Sequence, residues 1–484
     1  MNLIVIVVDT LRYDYVGAHG NDWIKTPSMD RLAGESWVFE NSFAASYPTI
    51  PHRTDALTGR YGSPFHAWRP LPFDVPTLPR ALAEAGYCTQ LIHDTPHLVN
   101  GGHNFDWPFH AWTPIRGAEV DRPWIDNLTT LPENWGRDEL FEFADWDSAK
   151  KNFICQTYAR ANRGRKTLDD WNCAKLFNTC CRFLQDNAGR DNFLLWVDCF
   201  DPHEPWDAPT EFMKMYDRTG GYDGSIDPRS FTARNDPGMS EAAKSRVKAA
   251  YAAKVSWVDR CLGRFLDALD QTGLSEKTAV LLTADHGTNV GERGSFGKGM
   301  VVHECIARVP FMVRVPGGGS GRSKMIVQPQ DIFATVMGIA GLKTPAELDS
   351  HDVLAAARAG KRPRELALSG WAASGWDRPQ QRKQDYLFSA FDGQWCLEVA
   401  ARLENCRLVR MGGIEDVGAG HQDVVRRLHA AAIDELERRG ADRELMKWLR
   451  GGGKGKFPID CRPYDFYPPP GGYTQYWNRI YVEQ

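Results

Sequence analysis

Four short stretches of this 484-residue chain hold residue types that do chemistry on an anion. The first is Asp9, with Thr10 beside it, directly after the apolar run Asn2 to Val8. Ligands of open α/β sheets sit outside the carboxyl ends of strands, so a carboxylate there is placed to hold a metal. An Asp at a strand end also serves as a helix cap. The second is Asp285-His286-Gly287, which closes the run Thr278 to Ala284. Consecutive strand residues point to opposite faces, so both side chains reach one ion only where the chain leaves the sheet, and Gly287 eases that turn. This pair makes a metal site with Asp9, or else a polar loop with a capping carboxylate; Lys298 and His303 follow in the same loop. The third stretch, YPTIPHRTDALTGR (47–60), reads as a helix with Thr49 as N-cap, Pro51 in its first turn and Gly59 as its stop. Free N–H groups at such a start favour a tetrahedral anion, and Arg53 one turn on can hold it. Taken alone, the same residues make an ordinary capped helix. The fourth is DCFDPHEPW (198–206), where two prolines immobilise His203. That suits a positioned acid or an oxyanion contact, although a lone loop histidine is commonly incidental.

Side chains this far apart in sequence meet only if a sheet gathers them. Asn2 to Val8 is a mostly apolar, β-branched run of buried-strand length, and Phe193 to Val197 and Thr278 to Ala284 are two more. Helical stretches lie between them, at Leu78 to Ala85, Thr167 to Asp186 and Ala242 to Gln271. Strands alternating with helices predict an α/β fold with a parallel or mostly parallel sheet. After Asp349 the texture changes. Phe391 to Met411 reads as short strands meeting at turns, and His421 to Arg439 as a helix, together a small α+β subdomain. GGGKGKFP (451–458) reads as a flexible hinge. The Pro- and aromatic-rich tail behind it is expected to pack on the body or on a neighbouring subunit of a homo-oligomer. The division is therefore a large domain over 1–350, the subdomain over 351–450 and the tail over 451–484.

Composition narrows the class. A hydrophobic fraction of 42% and a charged fraction of 25% exclude a disordered, collagenous or coiled-coil chain. The net charge of −4 provides no basic field, so neither a nucleic-acid polymer nor an anionic membrane is an expected partner. The eleven cysteines form no CxxC pair, which excludes a disulfide framework or a zinc ribbon. MNLIVIVVDT has no basic leader, and its apolar run stops at Asp9, far short of a spanning helix. A reduced, soluble, cytoplasmic protein is expected. Trp206, Trp124 and the aromatic tail are expected to wall a substrate pocket, although packing explains tryptophan equally well.

Taken in order, IVIVVDTLRYDYVG (4–17), PTIPHRTDALTGR (48–60), FDPHEPW (200–206) and TADHGTNVGERGSFGKG (283–299), running into RVPFMVRVPG (308–317), resemble the sulfatase family of the alkaline phosphatase superfamily. KTPSMDRLA, AGYCTQLI and VSWVDRCLGRFLDAL add to the likeness, which covers about residues 2 to 340. The resemblance implies an alkaline-phosphatase-like αβα sandwich with a mixed, mostly parallel sheet and a smaller C-terminal subdomain. It also implies one divalent metal and covalent chemistry at the anion.

Three departures from the family pattern set expectations. Thr49 stands where the family has the Cys or Ser that becomes formylglycine, and threonine cannot yield that aldehyde. It resembles instead the Thr nucleophile of the superfamily's phosphodiesterases and phosphoethanolamine transferases. His286 stands where many calcium sulfatases have Asn, as it does in the phosphonate monoester hydrolase branch. Imidazole favours Mn²⁺ or Zn²⁺ over Ca²⁺ or Mg²⁺. Asp94 in LIHDTPH replaces the family's Lys.

The resemblance thus implies Asp9, Thr49, Asp285 and His286 as metal ligands and Thr49 as nucleophile. Arg53 and Lys298 stabilise charge and His203 serves the leaving group, while Asp94, His97 and Asn104 line the pocket. The first expectation is a hydrolase of phosphate diesters or of phosphonate or phosphate monoesters through phospho-Thr49, acting on a small molecule. The alternatives are a sulfuric ester hydrolase, a phosphoryl transferase and a non-catalytic anion-binding scaffold.

Overall fold

The strands that end at the chemical residues lie side by side. The computed structural model describes residues 1–99, 102–121, 158, 161–162, 164–218, 240–376 and 385–459. The strands contributing to its large sheet are β1 (Asn2–Val8), β2 (Trp37–Ser42), β3 (Cys88–His93), β4 (Ala111–Pro114), β5 (Phe193–Cys199) and β6 (Thr278–Ala284). A two-residue hairpin, β7 (Asn289–Val290) and β8 (Phe296–Gly297), precedes its last two members, β9 (Phe311–Arg314) and β10 (Gly321–Val327). The order is β10-β2-β9-β6-β1-β5-β3-β4. Only β9 runs against its neighbours, so the sheet is mixed and mostly parallel.

Register decides where the chemistry falls. Val7 of β1 pairs with Asp198 of β5, Val8 pairs with Ala284 of β6, and His93 of β3 also pairs with Asp198. Asp9, Asp94, Asp198 and Asp285 therefore emerge together at the carboxyl edge of four adjacent parallel strands, where such folds place ligands.

Helices cover both faces because β1 is apolar throughout. Ile4, Ile6 and Val8 pack into one layer with Phe177 and Phe265, while Leu3, Val5 and Val7 pack into the other with Ile50, Leu78 and Phe333. In chain order the helices used below are α1 (Pro27–Gly34), α2 (Thr49–Thr58), α3 (Asn172–Asp186), α4 (Glu241–Gln271) and α5 (Val353–Arg358). The helix expected from Thr167 begins instead at Asn172. Thr167 and Asp170 close a separate capped 3₁₀ turn, and Trp171 is extended at φ −76°, ψ 145°. Among the described residues no helix is long and apolar enough to cross a membrane.

The small antiparallel sheet joins β11 (Ala367–Gly370), β12 (Tyr386–Phe391), β13 (Trp395–Ala400) and β14 (Arg407–Arg410). The helices Gln422–Arg438 and Arg443–Arg450 pack on it. Val353 and Leu354 of α5 pack into the large core, and Phe43, Tyr47 and Ile306 meet Ala367, Phe391 and Cys396 in a cluster between the two sheets. The stretch expected to hinge at 451–458 is tied down. Phe457 is buried edge-on against Trp448, 5.1 Å between ring centroids, and Gly453 N–H donates to the Trp448 carbonyl. Residues 460–484, the tail expected to make subunit contacts, and Trp124 lie outside the described residues.

Candidate active site and metal centre

Asp9, Asp285 and His286 are fully buried, and their ligand atoms lie within 4.8 Å of one another. One oxygen of each carboxylate is already committed. Asp9 Oδ1 accepts from Thr10 Oγ1 at 2.6 Å, and Asp285 Oδ1 accepts from the N–H groups of Thr10 at 2.9 Å and His286 at 2.7 Å. His286 Nδ1 lies 2.8 Å from the Gly287 carbonyl, which can only accept, so that nitrogen carries the proton. Its Nε2, buried and without a hydrogen-bond partner, presents a lone pair. A ring nitrogen fixed by a carbonyl while the other stays bare is how proteins prepare a metal-binding histidine. The three side chains therefore fit one divalent cation. Local backbone serves this arrangement. Thr10 is held left-handed at φ 65°, a conformation costly for a β-branched residue. At Gly287 a Cβ would lie 2.1 Å from the Cys305 carbonyl, so glycine is required for close approach.

Two buried carboxylates at this distance cannot both stay ionised without a cation. Burial and the Asp285 charge push Asp9 up to about 7. Burial opposes ionisation of Asp285 too, but Arg53 and His286 hold it below the usual carboxylate range.

Thr49 is the first residue of α2 rather than its N-cap. Pro48 takes the cap position at φ −96°, ψ −135°, and its carbonyl accepts from His52 N–H at 3.1 Å. Thr49 therefore does not serve as the cap of the helix. Gly59 ends the helix left-handed, as expected. Arg53 is buried one turn on. Its guanidinium reaches Asp198 by Nη2 at 2.8 Å and Nε at 3.0 Å, Asp9 by Nη2 at 3.1 Å, and Asp285 by Nη1. Arg53 thus faces the metal-type carboxylates as well as the helix start.

Lys298 and His203 also meet, although 95 positions separate them. Lys298 Nζ donates to His203 Nε2 at 2.6 Å and to Glu204 Oε2 at 2.7 Å. His203 Nδ1 lies 3.2 Å from Glu119 Oε2 and 2.7 Å from the Glu204 carbonyl. Burial and Lys298 push the imidazole down, yet Glu204 and Glu119 outweigh them and hold it above the ordinary histidine range. Burial opposes ionisation of Glu204, but Lys298 and His203 hold it down at about 2.

The pocket-lining expectations divide. Asp94 is buried beside the site, accepting from Phe200 N–H at 2.6 Å through Oδ1 and leaving Oδ2 without a partner. Burial and the Asp201 charge raise it well above the carboxylate range. His97 packs between Trp68 and Phe200, with ring centroids at 5.2 and 5.8 Å. Asn104 makes its contact on the Leu71 segment. It sits left-handed at φ 65° in a turn, with Nδ2 3.5 Å from the Leu71 carbonyl. Trp206 packs on Tyr251 in the core, 5.4 Å between centroids. His303 turns to Cys305, with Nδ1 3.0 Å from Sγ.

Sequence reasoning passed over Asp198, Glu204 and Glu119. For Asp198 the signal was present: it is a third strand-end aspartate, after FLLWV. Glu119 had no local signature.

Comparison with known proteins identifies the class. Residues 1–342 match the Sulfatase family, and the chain belongs to it, within the alkaline phosphatase superfamily of ester hydrolases. Among curated relatives, the Clostridium perfringens arylsulfatase is 28% identical over 383 residues, covering 72% of this chain and 76% of that protein. Mus musculus iduronate 2-sulfatase is 25% identical over 402 residues, covering 71% of this chain and 69% of that protein. Solved structures with the same fold include the phosphonate monoester hydrolase of Agrobacterium radiobacter, with a TM-score of 0.67 and 19% identity. That match covers 90% of this chain and 96% of the other. The enzyme SpPMH from Silicibacter pomeroyi has a TM-score of 0.68 and 21% identity, over 90% and 95%. The curated relatives are mostly sulfatases, so they support the sulfate-ester alternative better than the phosphorus reading expected from Thr49.

Proposed function

We propose that the protein is a metal-dependent hydrolase of small-molecule sulfate esters that uses Thr49 as its nucleophile. The observation that carries this reading is that Arg53, one turn along α2 from Thr49, reaches Asp9 and Asp285, two of the three buried side chains whose ligand atoms gather as for one cation. That geometry occurs in a chain whose curated relatives are sulfatases. Asp9, Asp285 and His286, with Thr49 Oγ as a further ligand, would hold a divalent cation, which would supply Lewis-acid polarisation and lower the hydroxyl's pKa. Imidazole in this donor set favours Mn²⁺ or Zn²⁺.

This chain's own residues do the rest. Thr49 gives its hydroxyl proton to water and its Oγ bonds to sulfur as the bond from sulfur to the ester oxygen breaks, while His203 gives that departing oxygen a proton. Arg53, Lys298 and the free N–H groups of α2 hold the charge that grows on the remaining oxygens. Water then adds to sulfur, releases sulfate and restores the Thr49 hydroxyl. A second reading exchanges sulfur for phosphorus, with phospho-Thr49 as the intermediate. It is favoured by Thr49 itself, which resembles the threonine nucleophile of the superfamily's phosphodiesterases. Turnover of matched aryl sulfate, aryl phosphate, bis-aryl phosphate and aryl phosphonate substrates with Mn²⁺ or Zn²⁺ separates the two. No turnover of any of them, in protein shown to carry metal, would end both readings.

A further inference from the structure

Tyr47 precedes Thr49 by two residues and has no role in the chemistry above. It is 1% exposed, and its backbone is pinned on both sides. Its N–H donates to the Gly370 carbonyl at 3.0 Å, and neighbouring Ser46 gives its N–H and its hydroxyl to the Asp55 carboxylate at 2.7 and 2.9 Å. The ring stands edge-on between His286, at 5.0 Å between centroids, and Trp371, at 4.8 Å.

These contacts satisfy the ring and not the oxygen. Tyr47 Oη is buried without a hydrogen-bond partner. An unsatisfied buried hydroxyl carries a desolvation penalty that phenylalanine in the same place would avoid. His286 Nε2 and Asp9 Oδ2, two ligand atoms of the metal-type centre, are also buried without a hydrogen-bond partner. A phenol is protonated at neutral pH, so Oη is an O–H donor. A neutral phenol is a poor metal ligand and a good donor to an anion.

We propose that Tyr47 is a catalytic residue whose Oη–H donates a hydrogen bond to an oxygen of the tetrahedral anion that Thr49 attacks. This rests on the hydrolase reading for its rate effect but not for its binding effect. The bond strengthens as charge grows on that oxygen, adding a third side-chain donor to Arg53 and Lys298.

The test is Tyr47→Phe, which keeps the ring contacts with His286 and Trp371 and removes only the donor. Calorimetric binding of inorganic sulfate and of inorganic phosphate is compared between metal-loaded wild type and variant, alongside kcat/KM on the best ester. The expected result is anion binding weaker by about 10- to 100-fold, the range of a hydrogen bond to a charged group. Melting temperature should not fall, and metal stoichiometry should not change. Equal anion affinity in the two proteins, or no anion binding by wild type, overturns the assignment. A loss that tracks lost metal also overturns it, because the phenol would then be supporting His286. Wild type that binds sulfate through Tyr47 yet hydrolyses no ester would sink the hydrolase reading and leave the phenol contact standing.

Discussion

Arg53 and Asp198 form a two-point ion pair, Nη2 to Oδ1 at 2.8 Å and Nε to Oδ2 at 3.0 Å, with neither side chain more than 1% exposed. Asp198 Oδ1 also accepts from Thr95 Oγ1 at 2.6 Å. The guanidinium is therefore held by one fixed carboxylate while its remaining edge faces Asp9 and Asp285. Planar two-point pairing fixes orientation as well as distance, which a lysine could not reproduce.

Removing that anchor leaves a buried cation with only the metal-type carboxylates to pair with. Asp198→Ala is expected to cost about 3–5 kcal/mol of stability, the usual penalty for breaking a buried pair from one side. Asp198→Asn keeps the shape and an acceptor, so it should fold better than the alanine variant yet weaken metal binding, because Arg53 then competes for Asp9 and Asp285. Thermal melts and metal titrations of both variants read this out. Wild-type melting in Asp198→Ala would show that the pair contributes nothing.

Thr49→Ala should lower turnover by about three orders of magnitude or more, as loss of a covalent nucleophile does. Metal should be retained, more weakly, on Asp9, Asp285 and His286, and melting temperature should stay near wild type, since Pro48 and not Thr49 takes the cap position. Rapid-quench mass spectrometry of wild type should reveal a sulfo or phospho adduct on Thr49. Near-normal rates in the alanine variant would remove Thr49 from the chemistry.

Chelation should cost stability as well as activity. A ligand that binds only the folded state at 100 times its Kd adds about 2.7 kcal/mol. Relief of the burial cost and Asp285 repulsion that together push Asp9 up to about 7 is part of the source. Melting temperature should rise with added Mn²⁺ or Zn²⁺ in wild type. In His286→Ala, which removes the bare Nε2, the rise should shrink sharply. Equal rises in the two proteins would place the cation elsewhere.

How much of this was legible in the sequence follows from how each residue is held. The runs Asn2 to Val8 and Thr278 to Ala284 coincide with β1 and β6 residue for residue, because fully buried parallel strands are continuously apolar. Asp9, Asp285 and His286 were readable because they stand where those runs end. The shift of Thr49 from cap to first helical residue was not readable, since the Pro48 conformation that causes it depends on tertiary pairing around Gly370. Glu119 was not readable either, because its only link to His203 is spatial, across 84 positions. The small sheet is hardest for a similar reason: β11 is four residues long and gains its meaning from pairing with β12.

That spatial link sets the pH dependence. Glu204 and Glu119 hold His203 above the ordinary histidine range against burial and Lys298. A histidine with a raised folded-state pKa contributes its pairing energy fully below the unfolded value of about 6.5 and loses it as pH rises through the folded value. As proton donor to the departing oxygen, His203 should therefore place an alkaline limb on kcat for substrates with poor leaving groups, at a pH above the usual histidine value. Lys298 donates to Nε2 at 2.6 Å, so the proton can be carried there only once the anion has drawn Lys298 away, and the limb should be sharper in kcat than in kcat/KM. Glu119→Gln removes one of the two carboxylates that raise the imidazole, and the limb should move to lower pH. Substrates whose leaving groups need no proton should show no limb in either protein. A limb that stays in place in Glu119→Gln would assign the proton to another group.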